Sequence, residues 1–282
     1  MGRGMKRVWV CLVFALVLFA SIVWTVWGNV SLKTSVYKIR SERLPEAFDG
    51  YTIAQVSDLH NAEFGKENER LLSALRKTEC DMLVLTGDLV DSRRTDIGIA
   101  VDFAREAVKI APTYYVSGNH EARLTKEYPL LKSGLLAAGV TVLENEEAYV
   151  EKNGERLKIV GLQDPNFLSG GSKEDKIENS LKEFVFGQEY TIVLAHRPDL
   201  FDVYANAGAD LAFSGHAHGG QFRLPFVGGL YAPGQGFFPK YDAGLYTKEN
   251  TKMLVSRGLG NSAFPFRLNN RPQIVVAKLE KI

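Results

Sequence analysis

Cysteine is scarce in this chain, and so is net charge. The 282 residues include only two cysteines, Cys11 and Cys80, and carry a formal net charge of +1 at pH 7. Two isolated cysteines provide neither a disulfide framework nor a thiolate metal site, so we expect both to be small buried hydrophobic residues. Near-neutral charge without basic and aromatic runs gives no general attraction to nucleic acid. We therefore expect no nucleic-acid partner and infer no obligate protein partner.

Charged residues are absent from residues 8–27, whose sequence is "VWVCLVFALVLFASIVWTVW". About 20 apolar residues suffice for a helix that crosses the hydrocarbon core of a bilayer. A cleaved signal peptide is the alternative, but its apolar region is normally roughly 7 to 15 residues long and ends at a small-x-small cleavage pattern. Residues 1–32 are therefore predicted to be a basic tail and an uncleaved transmembrane anchor, with residues 8–27 inside the lipid bilayer.

Basic residues on both sides of the apolar segment leave its orientation open. Three precede it, Arg3, Lys6 and Arg7, and a comparable set of four follows it: Lys33, Lys38, Arg40 and Arg43. The positive-inside rule therefore does not decide the topology. A short basic N-terminus kept inside is the commoner arrangement, so we expect the large domain on the outer face of the cell membrane.

Beyond the anchor, short apolar segments alternate with longer amphipathic ones, which predicts one α/β domain over residues 33–282. The predicted strands are "TSVYKIRS" at an edge, then "YTIAQVS", "MLVLTG", "TYYVSG", "LKIVGL", "YTIVLA", "DLAFSG", "KMLVSR" and "QIVVAKL". The predicted helices occupy residues 67–77, 97–109, 129–138 and 173–184. Strands this rich in valine and isoleucine are typical of sheets that are covered on both faces.

Histidine is scarce as well, and all five histidines fall in polar clusters that follow predicted strands. Five strands lead directly into "SDLH", "GDLVD", "GNHE", "HRPD" and "GHAHGG". One such cluster alone is also consistent with a capped turn or an ordinary structural histidine. Because the carboxyl ends of the strands form the binding crevice of α/β sheets, five clusters in series indicate one shared site.

The side chains in these clusters are suited to metal binding. Aspartate and asparagine provide hard oxygen ligands and neutral histidine provides nitrogen, a mixture that suits Mn²⁺, iron or Zn²⁺, of which we favour Mn²⁺. Seven good donors exceed the needs of one ion, and they include a carboxylate that can bridge. The sequence therefore predicts two divalent metal ions about 3.5–4 Å apart. The seven predicted ligands are Asp58, His60, Asp88, Asn119, His196, His216 and His218.

The five clusters resemble the motif set of the calcineurin-like metallophosphoesterases. That set is D-x-H, G-D-x-x-D, G-N-H-[DE], a single H and G-H-x-H, and it is present in order over about residues 51–220. The resemblance implies a four-layer α/β/β/α sandwich with a dinuclear metal centre between two sheets. It also implies a metal-dependent phosphoester hydrolase that cleaves a phosphodiester, phosphomonoester or pyrophosphate bond.

The resemblance further implies a role for each residue of the site. Asp58, His60 and His218 would hold one metal ion. Asn119, His196 and His216 would hold the other, and Asp88 would bridge the two ions.

Two further residues are implied to be catalytic. His120 would stabilise the phosphoryl transition state and assist the departing oxygen, oriented by Glu121 or by a carboxylate on another loop. Asp91 is implied to keep the "GDLVD" loop in shape.

A looser resemblance connects the chain to the membrane-associated bacterial members of this family, some of which act on lipid pyrophosphates. It rests on the predicted anchor, "GLQDP", "HRPD" and "VSRGLGNSAFPFRLNNRP". It implies a phosphoester substrate linked to lipid or located in the cell envelope. The alternative is a non-catalytic scaffold that retains the fold, although such proteins typically lose ligands that this sequence retains.

Several side chains near the motifs have two interpretations. Arg197 can bind phosphate or form a local ion pair, for example with Asp199. Arg267, Asn269 and Asn270 can line the site or form turns. Four phenylalanines can form an apolar lip that faces lipid or can pack normally: Phe237, Phe238, Phe264 and Phe266.

Overall fold

The computed structural model describes residues 3–282, and within that range it contains six α-helices. They are α1 (Arg3–Val30), α2 (Glu69–Arg76), α3 (Ile97–Ala107), α4 (Tyr128–Ala138), α5 (Lys173–Leu181) and α6 (Phe201–Ala207). Helices α2 to α5 lie within the four predicted helical segments or extend one by a single residue. Helix α6 was not predicted because its seven residues are too few for a clear helical periodicity.

The first sheet has six strands in the order β1-β16-β2-β3-β4-β5. Its strands are β1 (Lys33–Ser41), β2 (Thr52–Val56), β3 (Met82–Thr86), β4 (Thr113–Val116), β5 (Thr141–Val142) and β16 (Gln273–Lys281). Strands β2 to β5 run parallel to one another, and β16 is antiparallel to β2. The last strand of the chain therefore pairs with the first, and β1 lies at the edge, as predicted.

The second sheet also has six strands, in the order β14-β15-β9-β8-β7-β6. Its strands are β6 (Glu146–Lys152), β7 (Glu155–Gly161), β8 (Thr191–Leu194), β9 (Leu211–Ser214), β14 (Gly244–Lys248) and β15 (Thr251–Val255). Strands β7, β8, β9 and β15 are mutually parallel. Two short hairpins lie outside both sheets, and their strands are β10 (Arg223–Leu224), β11 (Gly228–Gly229), β12 (Tyr231–Ala232) and β13 (Gly236–Phe237).

The two sheets face each other between two helical layers, which confirms the predicted α/β/β/α sandwich. Side chains of both sheets, among them Ile53 and Ile192, form one buried cluster between the sheets. The adjacent Ala54 points the other way, into a cluster with α2, α3 and α4. Likewise Val193 packs with α5 and α6 on the outer face of the second sheet. Successive side chains of a strand point to opposite faces of the sheet. The continuous apolar sequences of the central strands therefore make both faces apolar there.

Helix α1 stands apart from this core. Its segment Arg7–Val30 has a mean hydropathy of 2.5, and none of that segment's 18 most apolar consecutive residues is buried against the rest of the chain. At about 1.5 Å per residue its 24 residues reach about 36 Å, which is long enough to cross a bilayer. Cys11 lies on this helix and is exposed, so the expectation that both cysteines are buried holds only for Cys80.

Candidate metal centre

The polar clusters meet at one edge of the sandwich. Strands β2, β3 and β4 are parallel neighbours in the first sheet, and β8 and β9 are parallel neighbours in the second. Their carboxyl ends therefore lie together, and the clusters that follow them converge between the two sheets. The seven predicted ligands and His120 are all buried.

The backbone of this site adopts conformations that non-glycine residues rarely adopt. Asp58, His60 and Asp88 have φ angles of 50°, 48° and 52°, in the left-handed region. His216 and His218 have φ angles of 64° and 50°. Such strain persists only where the surrounding structure imposes it, and it is concentrated at functional sites.

A first group of ligand atoms lies on the side of His218. His60 Nε2 is 3.1 Å from His218 Nε2, and His218 Nε2 is 3.4 Å from Asp58 Oδ1. Asp88 Oδ2 lies 3.6 Å from His60 Nε2. Together with Asp88, these residues form a buried four-residue cluster whose ligand atoms all lie within 4.8 Å of one another.

A second group lies on the other side of Asp88. His196 Nε2 is 3.3 Å from Asp88 Oδ2 and 3.2 Å from Asn119 Oδ1. His216 Nδ1 lies 3.2 Å from the same His196 nitrogen. The structure thus brings all seven predicted ligands together in two groups, and Asp88 belongs to both.

Glycines allow these loops to approach closely. A Cβ atom at Gly215, just before His216, would overlap the side chains of Ser57 and Asp58. A Cβ atom at Gly118 would overlap Asp88 in the same way. The glycines of "GHAH" and "GNHE" therefore let the loops pack against the ligands of their neighbours.

The protonation states of the site favour cation binding. Burial lowers the pKa of His60 to about 3 and places the pKa values of His216 and His218 well below the usual range. These imidazoles are therefore neutral at pH 7, which is the form that binds metals. Burial also opposes a charge on His196, but the adjacent Asp88 and Asp58 raise its pKa to about 10. The same carboxylates that raise the pKa of His196 attract metal cations, and the donor set fits two divalent ions.

His120 lies beside the ligands with its ring held from both sides. Its Nδ1 accepts a hydrogen bond of 3.0 Å from the backbone N–H of Ser92. Because a backbone N–H can only donate, the neutral ring carries its proton on Nε2. That nitrogen is 3.1 Å from Ser262 Oγ. Burial lowers the pKa of His120 and so favours the neutral ring.

The contacts of Glu121 differ from the prediction that it orients His120. Glu121 Oε2 accepts hydrogen bonds of 2.8 Å from the backbone N–H groups of both Asp88 and Gly118. Its Oε1 accepts a third, of 3.3 Å, from Val90 N–H. Burial and the nearby Asp88 raise the pKa of Glu121 to about 8. Its carboxyl group accepts three backbone hydrogen bonds and therefore supports the Asp88 loop instead of the imidazole.

Asp91 is the carboxylate on another loop that approaches His120. Asp91 Oδ1 lies 3.8 Å from His120 Nδ1 and accepts a hydrogen bond of 2.8 Å from the backbone of Arg93. Its backbone carbonyl accepts a hydrogen bond of 3.1 Å from Thr95 Oγ1. Asp91 therefore shapes the loop that presents Ser92 to the imidazole.

Arg197 has an ion-pair partner that sequence reasoning did not identify. Its guanidinium binds both carboxylate oxygens of Asp164, at 2.7 and 3.2 Å, so the suggested pairing with Asp199 is wrong. Its Nη1 lies 3.2 Å from His216 Nε2. Asp164 follows β7 in "GLQDP", so another strand of the parallel set also ends at the site.

The segment after β15 closes the site from another side. Arg267 Nη2 lies 3.4 Å from His218 Nδ1, and Asn270 Nδ2 donates to the carbonyl oxygen of His218 at 2.6 Å. Asn270 and Arg267 therefore support the "GHAH" loop, which the sequence alone left undecided. The available signal was that β15 leads into a glycine-containing loop, as do β3, β4 and β9, which precede polar clusters of the site.

The ligands open into a cleft of about 440 Å³. His120, Asn119, His218 and Ser262 are among the residues that line it. Four basic residues also line it: Arg93, Arg123, Lys173 and Arg197. A cationic cleft above buried carboxylates and imidazoles suits an anionic phosphorylated substrate.

A family model described as calcineurin-like phosphoesterase matches residues 51–220. The chain belongs to the calcineurin-like phosphoesterase family. It is accordingly a metal-dependent phosphoester hydrolase, and its buried histidine and aspartate clusters suit a dinuclear centre of divalent ions.

Relatives of this phosphoesterase cover most of its length. The uncharacterised metallophosphoesterase YkuE of Bacillus subtilis strain 168 is 28% identical over 256 residues, which are 88% of this chain and 86% of the relative. The phosphodiesterase YaeI of Escherichia coli K12 is 31% identical over 202 residues, 71% of this chain and 70% of the relative. A Danio rerio protein named transmembrane protein with metallophosphoesterase domain is 28% identical over 277 residues, 92% of this chain and 61% of that protein.

Proposed function

We propose that this phosphoesterase is anchored in the cell membrane by α1 and hydrolyses a phosphoester through a dinuclear metal centre. The observation that carries the proposal is the position of Asp88. Its Oδ2 lies 3.6 Å from His60 Nε2 in one ligand group and 3.3 Å from His196 Nε2 in the other. A carboxylate shared between two groups of nitrogen and oxygen donors suits a bridging ligand.

The ligand assignment follows the two groups. Asp58, His60 and His218 hold one ion. Asn119, His196 and His216 hold the second, and Asp88 is shared. When bound, such a pair of divalent ions polarises the phosphoryl group and lowers the pKa of water. Mixed oxygen and nitrogen donors favour Mn²⁺, with iron and Zn²⁺ as the other candidates.

The chain itself supplies charge stabilisation around the phosphoryl group. The Ser92 N–H bond to Nδ1 leaves the proton of His120 on Nε2, which lies 3.1 Å from Ser262 Oγ, and both residues line the cleft. His120 therefore acts as a hydrogen-bond donor to a phosphoryl or leaving-group oxygen as negative charge develops there. Arg93 and Arg123 on the cleft wall bind the remaining phosphate oxygens.

The anchor determines which substrates reach this cleft. Helix α1 is long and apolar enough to span a bilayer, and β1 begins three residues after it ends. So short a connection keeps the catalytic domain at the membrane surface, on the outer face in our proposal. A lipid-linked or envelope phosphoester is the substrate class that this placement favours. The relative YaeI is named as a phosphodiesterase, which supports testing diesters first.

The experiment uses the full chain in detergent, loaded with Mn²⁺, and measures hydrolysis of bis-p-nitrophenyl phosphate, p-nitrophenyl phosphate and a lipid pyrophosphate. We expect turnover that chelation abolishes and Mn²⁺ restores, together with a preference for a lipid-linked substrate in the panel. Retained turnover in an Asp88→Ala variant would overturn the metal assignment. Indifference to the lipid moiety would overturn the substrate class.

A further inference from the structure

A second cavity, of about 370 Å³, lies where α1 meets the catalytic domain. It shares no lining residue with the metal cleft, although Arg267 and Asn270 line it and also contact His218. The last two turns of α1 form one of its walls. Trp24 and Trp27 line it from the helix. Lys33, Arg257 and Arg271 line it from the domain.

The charge in this cavity is positive and not neutralised. Within residues 3–282, the side chains of Lys33, Arg257 and Arg271 form no ion pair with a carboxylate. Arg271 donates instead to the carbonyl oxygens of Ser31 and Leu32, at 3.1 and 2.6 Å. Uncompensated cations at this density are costly unless an anion accompanies them.

Arg257 is the clearest case of an unsatisfied cation in this cavity. Its Nε is buried and has no hydrogen-bond partner in the described chain. Burial lowers the pKa of Arg257, and the nearby Arg223 lowers it further. Burial, Arg257 and Arg271 lower the pKa of Lys33 in the same way. A buried guanidinium nitrogen that lacks an acceptor, in a cluster of like charges, points to an anionic ligand.

The cavity lies at the level of lipid headgroups if α1 spans the bilayer. Tryptophans concentrate at the boundary between hydrocarbon and headgroups, and Trp24 and Trp27 occupy the end of the apolar helix. Arg271 lies over the ring of Trp27, with its Cζ 4.9 Å from the ring centroid. Trp24 Nε1 donates to Asn269 Oδ1 at 3.0 Å, so the same helical turns are held against the domain.

An apolar surface adjoins the cavity. Phe264 and Phe266 precede Asn269 in the same loop and pack on Phe222, with ring centroids 5.4 Å apart in each case. Phe226, Phe237 and Phe238 are strongly exposed in the neighbouring hairpins. The exposure supports the interpretation of these phenylalanines as a lip that faces lipid. Exposed aromatic residues beside a membrane helix are suited to insertion among lipid chains.

We propose that the cavity formed by Trp24, Trp27, Lys33, Arg257 and Arg271 binds the phosphate group of an anionic phospholipid. The guanidinium groups bind the phosphate oxygens, the tryptophans contact the glycerol and acyl region, and the phenylalanine lip inserts beside them. The bound lipid holds the domain against the bilayer, with the metal cleft at a fixed distance from the membrane surface. The inference rests on membrane insertion of α1, as in the proposed function, but on no property of the metal centre.

The test measures lipid binding to the full chain in detergent micelles, without metal and without turnover. Two of the three tryptophans of the chain line the cavity, so tryptophan fluorescence reports on it. Dioctanoyl phosphatidylglycerol, dioctanoyl phosphatidylcholine and inorganic phosphate are titrated separately. We expect saturable binding of phosphatidylglycerol at least about tenfold tighter than of phosphatidylcholine or phosphate. Phosphatidylcholine has the same phosphate but adds a quaternary ammonium that the cations of the cavity repel, and free phosphate lacks the acyl chains.

The variants Arg257→Gln and Arg271→Gln should each weaken phosphatidylglycerol binding about tenfold. Arg156→Gln removes the same charge on β7, where Arg156 pairs with Glu189, and should leave binding unchanged. Thermal unfolding identifies any variant that does not fold, in which case Lys33→Gln replaces it.

Equal binding of the two lipids, or an equal loss in Arg156→Gln, would overturn the proposal. Binding of free phosphate as tight as that of the lipid would overturn the lipid assignment. Failure of hydrolysis in the activity assay would leave this inference unaffected.

Discussion

At the scale of single residues, the site combines backbone strain with charge. Asp58, His60 and Asp88 have left-handed backbone angles, and a carboxylate oxygen of each aspartate lies within 4.0 Å of His60 Nε2. Only a strong compensating interaction stabilises such an arrangement, and divalent cations provide one. His120 and Glu121 are adjacent in sequence but differ in role: His120 lines the cleft, whereas Glu121 accepts hydrogen bonds from backbone N–H groups.

We predict that His120→Ala lowers kcat about 10²- to 10³-fold while KM and metal content change less than about twofold, because a transition-state hydrogen bond is lost. His120→Gln retains an N–H donor and should recover part of that loss. Steady-state kinetics with bis-p-nitrophenyl phosphate and metal analysis of the same preparations provide the measurement. Equal activity of the alanine and glutamine variants would contradict a role as hydrogen-bond donor.

Glu121→Gln should destabilise the fold by about 1–3 kcal/mol, because an amide has one acceptor oxygen where the carboxylate binds three backbone N–H groups. Urea unfolding of the metal-free protein measures the change. Glu183→Gln, on an exposed position after α5, is the matched control and should alter stability little. Unchanged stability of the Glu121 variant would show that the carboxylate does not brace the Asp88 loop.

At the scale of elements, the sequence revealed the strands best. Apolar strands that end in polar clusters were visible because their central positions are buried on both faces. Strand β6, with the sequence "EEAYVEK", was missed because an edge strand tolerates charged residues along its length. The loop after β15 was missed as a support for His218, because Arg267 and Asn270 reach the site only through tertiary contacts.

The end of α1 is joined to that same loop through Asn29. Its Oδ1 accepts a hydrogen bond of 2.7 Å from Arg267 N–H, and its Nδ2 donates to Arg267 O at 2.9 Å. Asn29→Ala should therefore remove protection from the Arg267 amide and accelerate hydrogen exchange in residues 257–271. Ser21→Ala on the same helix is the control, since the Ser21 hydroxyl donates to the Val17 carbonyl oxygen within that helix. Identical exchange in the two variants would contradict this connection.

At the scale of the whole molecule, the two sheets meet in the metal centre. Ligands come from loops after β2, β3 and β4 on one side and after β8 and β9 on the other. The family, the sandwich and the convergence of five clusters followed from the sequence. The cavity at the foot of α1 did not, because its cations come from segments that are far apart in the chain.

Metal binding should stabilise the whole fold, because the ligands belong to both sheets. Mn²⁺ at a hundredfold excess over its Kd should add about 2.7 kcal/mol per site to the free energy of unfolding. Thermal unfolding with and without chelator measures the shift in midpoint. A midpoint that does not respond to Mn²⁺ would indicate that the ligands do not bind the metal in the folded state.

The most direct test of the account is the metal content of the purified chain, measured together with its turnover. We predict about two divalent ions per wild-type chain, and loss of both hydrolysis and at least one ion in Asp88→Asn. Asp102→Asn, an exposed substitution on α3, should match the wild type in both measurements. A wild-type chain that turns over with one ion, or an Asp88→Asn chain that keeps two ions and full activity, would contradict the bridging role of Asp88.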